Sequence, residues 1–153
     1  DAALLCDVLP CIYADHAERY QGYALRRLGQ EMHDIYVRNN IKDLQKALFR
    51  KETLPRQAML PQTANLEFVR NHTELVALDE IEGRIAAEGA LPYPPGIICI
   101  VPGEVWGGAV LKYFKVWEMV IDLLPGFAPE LQGVYSQVNA QGSVQVCGYV
   151  IKQ

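Results

Sequence analysis

Apolar residues recur with a helical period in two long stretches of the chain. Val110, Phe114, Trp117, Ile121 and Leu124 step by four, three, four and three, which predicts an amphipathic helix ended by Pro125-Gly126. Tyr20, Tyr23, Leu25, Leu28, Met32, Ile35 and Tyr36 recur at threes and fours between charged residues, predicting a helix from about Asp15 to Asn39-Asn40. A second, shorter helix is expected over Ile41 to Phe49, and a short one from Thr63, where a cap region is plausible without a clean capping box. Ala2 to Val8 is apolar and reads as a further short helix stopped by Pro10.

Extended segments follow the helices. Leu75 to Leu78 reads as a strand, and Gly83 to Ala90 as extended chain. Gln132 to Gln137 and Ser143 to Val150, separated by Asn139-Ala140-Gln141-Gly142, read as a C-terminal β-hairpin. The fold class expected is α+β: N-terminal helices, then a small mixed sheet with one long amphipathic helix and that hairpin. Leu91-Pro92-Tyr93-Pro94-Pro95-Gly96 is a stiff strap, because proline fixes φ and pushes the preceding residue extended. Gly96 releases the chain into Ile97-Ile98-Cys99-Ile100-Val101, read as a buried central strand. Pro102-Gly103 then stops the run and leaves Glu104 at the mouth of the next helix.

Composition bounds the function. The chain has 153 residues, half of them hydrophobic and 21% charged, which fits one globular domain (residues 1–153) with a sizeable core. A formal charge of −4 with no Lys/Arg block argues against nucleic acid as a partner, since Arg26-Arg27 is no basic patch. Ile97 to Val101, the longest apolar run, is far short of the roughly 20 residues of a membrane span. No signal peptide is read, and a start at Asp1 without methionine is expected of a fragment or processed piece; the location expected is cytoplasmic. Cys6, Cys11, Cys99 and Cys147 match no zinc-site spacing and read as free thiols in a reducing compartment.

The Pro-Tyr-Pro-Pro-Gly-Ile strap, Pro102-Gly103-Glu104, Pro125-Gly126-Phe127 and Gly133-Val134-Tyr135 resemble, in that order, the C-terminal domain of bacterial pyridoxal-phosphate-dependent ornithine/lysine/arginine decarboxylases. The resemblance runs from about Ala77 to Tyr135 and is looser up to Asn71. Phe127-Ala128-Pro129-Glu130-Leu131-Gln132-Gly133 looks most like the ornithine branch. It implies the C-terminal domain of a larger cytoplasmic lyase of polyamine biosynthesis, converting L-ornithine to putrescine and CO2. The cofactor domain would lie N-terminal to this chain. The partners implied are the rest of the decarboxylase polypeptide and further copies in a homo-oligomer. A non-catalytic assembly or regulatory module, or the same domain of a lysine or arginine decarboxylase, are the alternatives.

The residues themselves offer little catalytic chemistry. The family's Schiff-base lysine lies in a Ser-X-His-Lys sequence, absent here, and Lys42, Lys46, Lys51, Lys112, Lys115 and Lys152 all sit on polar faces. No Gly-rich phosphate loop is visible. No catalytic, cofactor-binding or metal-binding residue is therefore expected in this chain, and pyridoxal phosphate is expected to be held by the missing part. His16, His33 and His72 lack ligand spacing, and Ser136 and Ser143, the only serines, sit in the hairpin. Three residues remain as substrate-channel or subunit contacts. Glu104 reads either as a helix cap or as a carboxylate that attracts a diamino acid. Tyr93 reads as a packed anchor or a substrate contact, and Trp106, before Gly107-Gly108, as a residue facing a partner domain. Gly107-Gly108 implies a close approach by other backbone. Arg84 is expected to pair with Glu80, Glu82 or Glu88. Ile98, Ile100, Phe114, Trp117 and Ile121 are the expected core.

Overall fold

A computed structural model describes residues 25–93, 96–123 and 130–152. The expected helix over Ala2 to Val8 lies outside these residues, as does the start of the next helix with Tyr20 and Tyr23. So do Cys6, Cys11, His16, Pro94, Pro95, Leu124 and Pro125-Gly126-Phe127.

Helix α1 spans Leu25–Arg38 and α2 spans Ile41–Ala47. The stop between them falls where the sequence places it. Asn40 takes φ 50°, a left-handed conformation that asparagine tolerates better than most residues, and the Asn39 side-chain amide donates to the Ile35 carbonyl at 2.8 Å. Helix α3, Pro61–Val69, begins two residues before Thr63. Its first position is Pro61, whose missing N–H would have had no intrahelical partner there.

The α+β class holds, and among the described residues every strand pairing is antiparallel rather than mixed. One sheet has the order β1-β5-β4, with β1 at Thr73–Ala77, β4 at Tyr135–Val138 and β5 at Val144–Ile151. The hairpin β4–β5 turns at Asn139, whose carboxamide oxygen accepts the Gln141 and Ser143 N–H groups, both at 3.0 Å. A separate ribbon pairs β2, Leu91–Tyr93, with β3, Glu130–Gln132. The single extended stretch expected over Gln132 to Gln137 is thus divided between two sheets. Gly133 makes the break: it has φ 75°, and a Cβ there would lie 1.9 Å from the Gly89 carbonyl oxygen.

Helix α4, Gly108–Leu123, packs on α1, α2 and β5. The stripe from Val110 to Ile121 faces the core, and Tyr113, Val116 and Val120 are buried as well, so the helix is apolar on two sides. Edge-to-face aromatic contacts run from Tyr36 to Trp117, Tyr113, Phe114 and Trp106, with centroids 5.5–6.2 Å apart. This line ties α1 through α4 to the segment that follows the Pro-Gly-Glu motif.

The central strand is the main correction. Ile97 to Val101 forms no strand, and its one pairing is a bridge from Ile100 to Ala90. Cys99 and Ile100 are buried, whereas Ile97 is 53% and Ile98 46% exposed, so Ile98 leaves the expected core. A strand needs a neighbour along its length. Ala90 alone supplies one here, while Leu91 to Tyr93 pair with β3.

Candidate functional site

Among the described residues, Leu91 to Tyr93 and Gly96 to Ile98 make up a tongue next to a tight base. The Ala90 N–H donates to the Ile100 carbonyl at 3.0 Å, and the Cys99 N–H donates to the Ala90 carbonyl at 2.9 Å. Gly89 and Gly133 let two backbones touch just behind this pinch. At the far end the Gly96 N–H donates to the Pro92 carbonyl at 3.1 Å, and the Tyr93 ring covers Gly96, which has φ 83°. Tyr93, Ile97 and Ile98 are all about half exposed on this tongue.

One ionisable group shares that surface. Tyr93 stands opposite Glu130 in the β2–β3 register, and directly opposed residues leave the same face of a ribbon. An exposed phenol ring and an exposed carboxylate thus leave the same face at one end of the tongue, where the Gln132 amide donates to the carboxylate at 3.2 Å. Ring face and carboxylate both favour a cation. The Phe127-to-Gly133 motif contained Glu130, but only the strand register reveals its neighbour.

Glu104 is placed differently from the sequence reading. Helix α4 begins at Gly108, so Glu104 precedes it by four residues and does not cap it. Its carboxylate accepts the Val101 N–H at 2.9 Å, closing the turn that Pro102 and Gly103 make. The same turn laces three segments together. The Gly103 carbonyl accepts N–H groups from Ala58 and Met59, the Gly103 N–H donates to Ala86, and the Ala86 N–H donates to Glu104. Pro-Gly-Glu is therefore a knot beneath the tongue, with the carboxylate spent on its own turn.

Trp106 is 2% exposed, stacked edge-on against Phe114, and is an interior residue of this domain, not a surface one. Its neighbours Gly107 and Gly108 are not crowded by other backbone: an added Cβ would meet only a Glu82 carboxylate oxygen at 3.9 Å, and nothing within 4 Å, respectively. Arg84 pairs with Glu74 across from β1, and with the Ile151 carbonyl at 3.1 Å, rather than with the glutamates beside it in sequence. Cys99 and Cys147 are free and buried, and burial pushes the Cys99 thiol up to about 11.

The lysines do not fit a pyridoxal-phosphate site. A Schiff-base lysine needs a desolvated pocket that lowers its proton affinity. Lys42, Lys46, Lys51, Lys112 and Lys152 are exposed, and Lys115 is ion-paired with Asp79 at 2.8 Å. Among the described residues no cluster of His, Cys, Asp and Glu could hold a metal ion, and no helix is long and apolar enough to cross a membrane.

The comparisons agree with the fold and motifs. The family model for the Orn/Lys/Arg decarboxylase C-terminal domain matches residues 42–152, and the chain belongs to that family. It is 63% identical over 150 residues to the inducible ornithine decarboxylase of Escherichia coli K12, covering 98% of this chain and 20% of that protein. The constitutive ornithine decarboxylase of the same strain is 55% identical over 152 residues, covering 99% of this chain and 21% of that protein. Among solved structures, lysine decarboxylase A from Pseudomonas aeruginosa superposes with a TM-score of 0.79 at 35% identity, covering 97% of this chain and 20% of that one. The chain thus spans about a fifth of the length of these relatives.

Proposed function

We propose that this chain is the C-terminal domain of a cytoplasmic, homo-oligomeric ornithine decarboxylase that converts L-ornithine to putrescine and CO2 with pyridoxal phosphate. The observation that carries the reading is 63% identity to an ornithine decarboxylase over nearly the whole chain, against 35% to a lysine decarboxylase. The cofactor, which serves as electron sink when CO2 leaves, is held by the rest of the polypeptide. Within this chain the tongue borders the substrate channel or a subunit contact. Tyr93 and Glu130 present a ring and a carboxylate to the ammonium groups of an approaching diamino acid. Glu104 and Trp106 act indirectly, by fixing the knot and core on which the tongue stands.

The test is an assay of the full-length protein against L-ornithine, L-lysine and L-arginine, with and without pyridoxal phosphate. The expected result is cofactor-dependent activity with the highest kcat/KM for ornithine. Preference for lysine or arginine would overturn the substrate, and no activity with any of them would overturn the enzyme reading. The exposed Tyr93, Ile97 and Ile98 favour a second reading in that event, a purely assembling module. The isolated chain should retain no stoichiometric pyridoxal phosphate after desalting.

A further inference from the structure

Strand β5 is longer than the neighbour on one of its edges. β1 covers Cys147 to Ile151, and the Leu78 N–H reaches the Val146 carbonyl at 2.9 Å before the chain turns away. Beyond that point the edge is met by helix α4. The Val146 N–H donates to Glu118 Oε2 at 3.0 Å, and the Val144 N–H donates to Asp122 Oδ1 at 2.7 Å. Four residues of helix rise about 6 Å, and two residues of strand about 6.6 Å, so the carboxylates match the N–H spacing. Two side chains substitute for a strand.

The surroundings of Glu118 are mostly acidic. Asp122 and Lys115 lie on its own helix, and Asp79, paired with Lys115, reaches it from the turn after β1. Cys147 faces it from β5. Burial raises the proton affinity of Glu118 above the usual carboxylate range, with Asp79 and Asp122 adding to it and the Val146 N–H and Lys115 opposing.

We propose that Glu118 and Asp122 form a proton-tightened clasp, in which one proton on Glu118 in mild acid holds the β4–β5 hairpin to α4 more firmly than at neutral pH. The proton goes to Oε1, which leaves Oε2 to accept the Val146 N–H as a weaker neutral bond, while the cost of burying the charge and the repulsion from Asp79 and Asp122 disappear. In the interval just above the ordinary carboxylate range the folded state binds more protons than the unfolded one, so stability rises as pH falls through it.

Hydrogen exchange of the full-length protein, read by mass spectrometry on peptides covering residues 140–151, tests the clasp. Labelling is compared at about pH 7.5 and about pH 5.5, with times scaled for intrinsic exchange. The wild-type hairpin should exchange about twofold or more slowly in acid, the size of a modest charge interaction. Glu118→Gln, which keeps the acceptor without the charge, should be slow at both values, and Glu118→Ala fast at both. A pH response shared by wild type and Glu118→Gln would overturn the proposal even if the alanine variant failed to fold.

Discussion

Gly103→Ala is the sharpest test of the knot beneath the tongue. Gly103 has φ 89°, and a Cβ there would lie 2.4 Å from the Met59 carbonyl oxygen and 3.1 Å from its carbon. Those atoms are backbone and cannot swing aside. A left-handed conformation costs an L-residue about 1–2 kcal/mol. Moving Met59 away also loosens the N–H bonds from Ala58 and Met59 to the Gly103 carbonyl, each worth about 0.5–1.5 kcal/mol net. The expected loss is about 2–5 kcal/mol, a large part of the 5–15 kcal/mol typical of a domain. Gly142→Ala is the control. Gly142 has φ 80° with nothing within 4 Å of its would-be Cβ, so it should lose only the conformational part. Urea unfolding followed by the emission of Trp106 and Trp117 measures both. A Gly103→Ala loss no larger than that of Gly142→Ala would refute the crowding argument.

Phe114→Ala should cost about 3–5 kcal/mol in the same unfolding assay, since Phe114 is fully buried between Trp106 and Tyr113; a loss below about 1 kcal/mol would place the core elsewhere. Glu104→Gln keeps an oxygen for the Val101 N–H, so stability should fall by less than about 1 kcal/mol and kcat/KM of the full-length enzyme should stay near wild type. Glu130→Gln should raise KM for ornithine with kcat unchanged, and the deficit should shrink at high salt, where attraction is screened; an unchanged KM removes Glu130 from the entrance. Cys99, its thiol pushed up to about 11 by burial, should resist iodoacetamide in the native protein at mildly alkaline pH and react after unfolding, as mapped by peptide mass spectrometry.

The elements that need only their own residues were legible. Helix α4 was marked by Val110, Phe114, Trp117 and Ile121, the α1–α2 stop by Asn39-Asn40, and the hairpin turn by Asn139 to Gly142. Each satisfies its hydrogen bonds locally, so its pattern is written within a few neighbouring positions. The family motifs were legible as well, because they are contiguous strings. The extended segments were legible only in part: Leu75 to Leu78 and Ser143 to Val150 fall largely on β1 and β5. Ile97 to Val101 had the composition of a buried strand, yet only Ala90 pairs with it, and Leu91 to Tyr93 pair with β3 from some forty residues away. The α4 stripe hid a second buried face, because Tyr113, Val116 and Val120 cover elements on the other side of the helix.

For the candidate site the division is the same. The amino-acid sequence by itself determined the proline-stiffened strap with Tyr93, the glycine at position 103 and the acidic balance of the chain. Only the tertiary structure decided that Trp106 is interior, that Glu104 is spent on Val101, and that Glu130 stands across from Tyr93. It alone placed Glu118 and Asp122 against the edge of β5. A helix closes its hydrogen bonds within four residues, so its faces follow from local spacing. Which carboxylate meets which backbone group or ring depends on chain-distant segments arriving side by side, and no local pattern records that arrival.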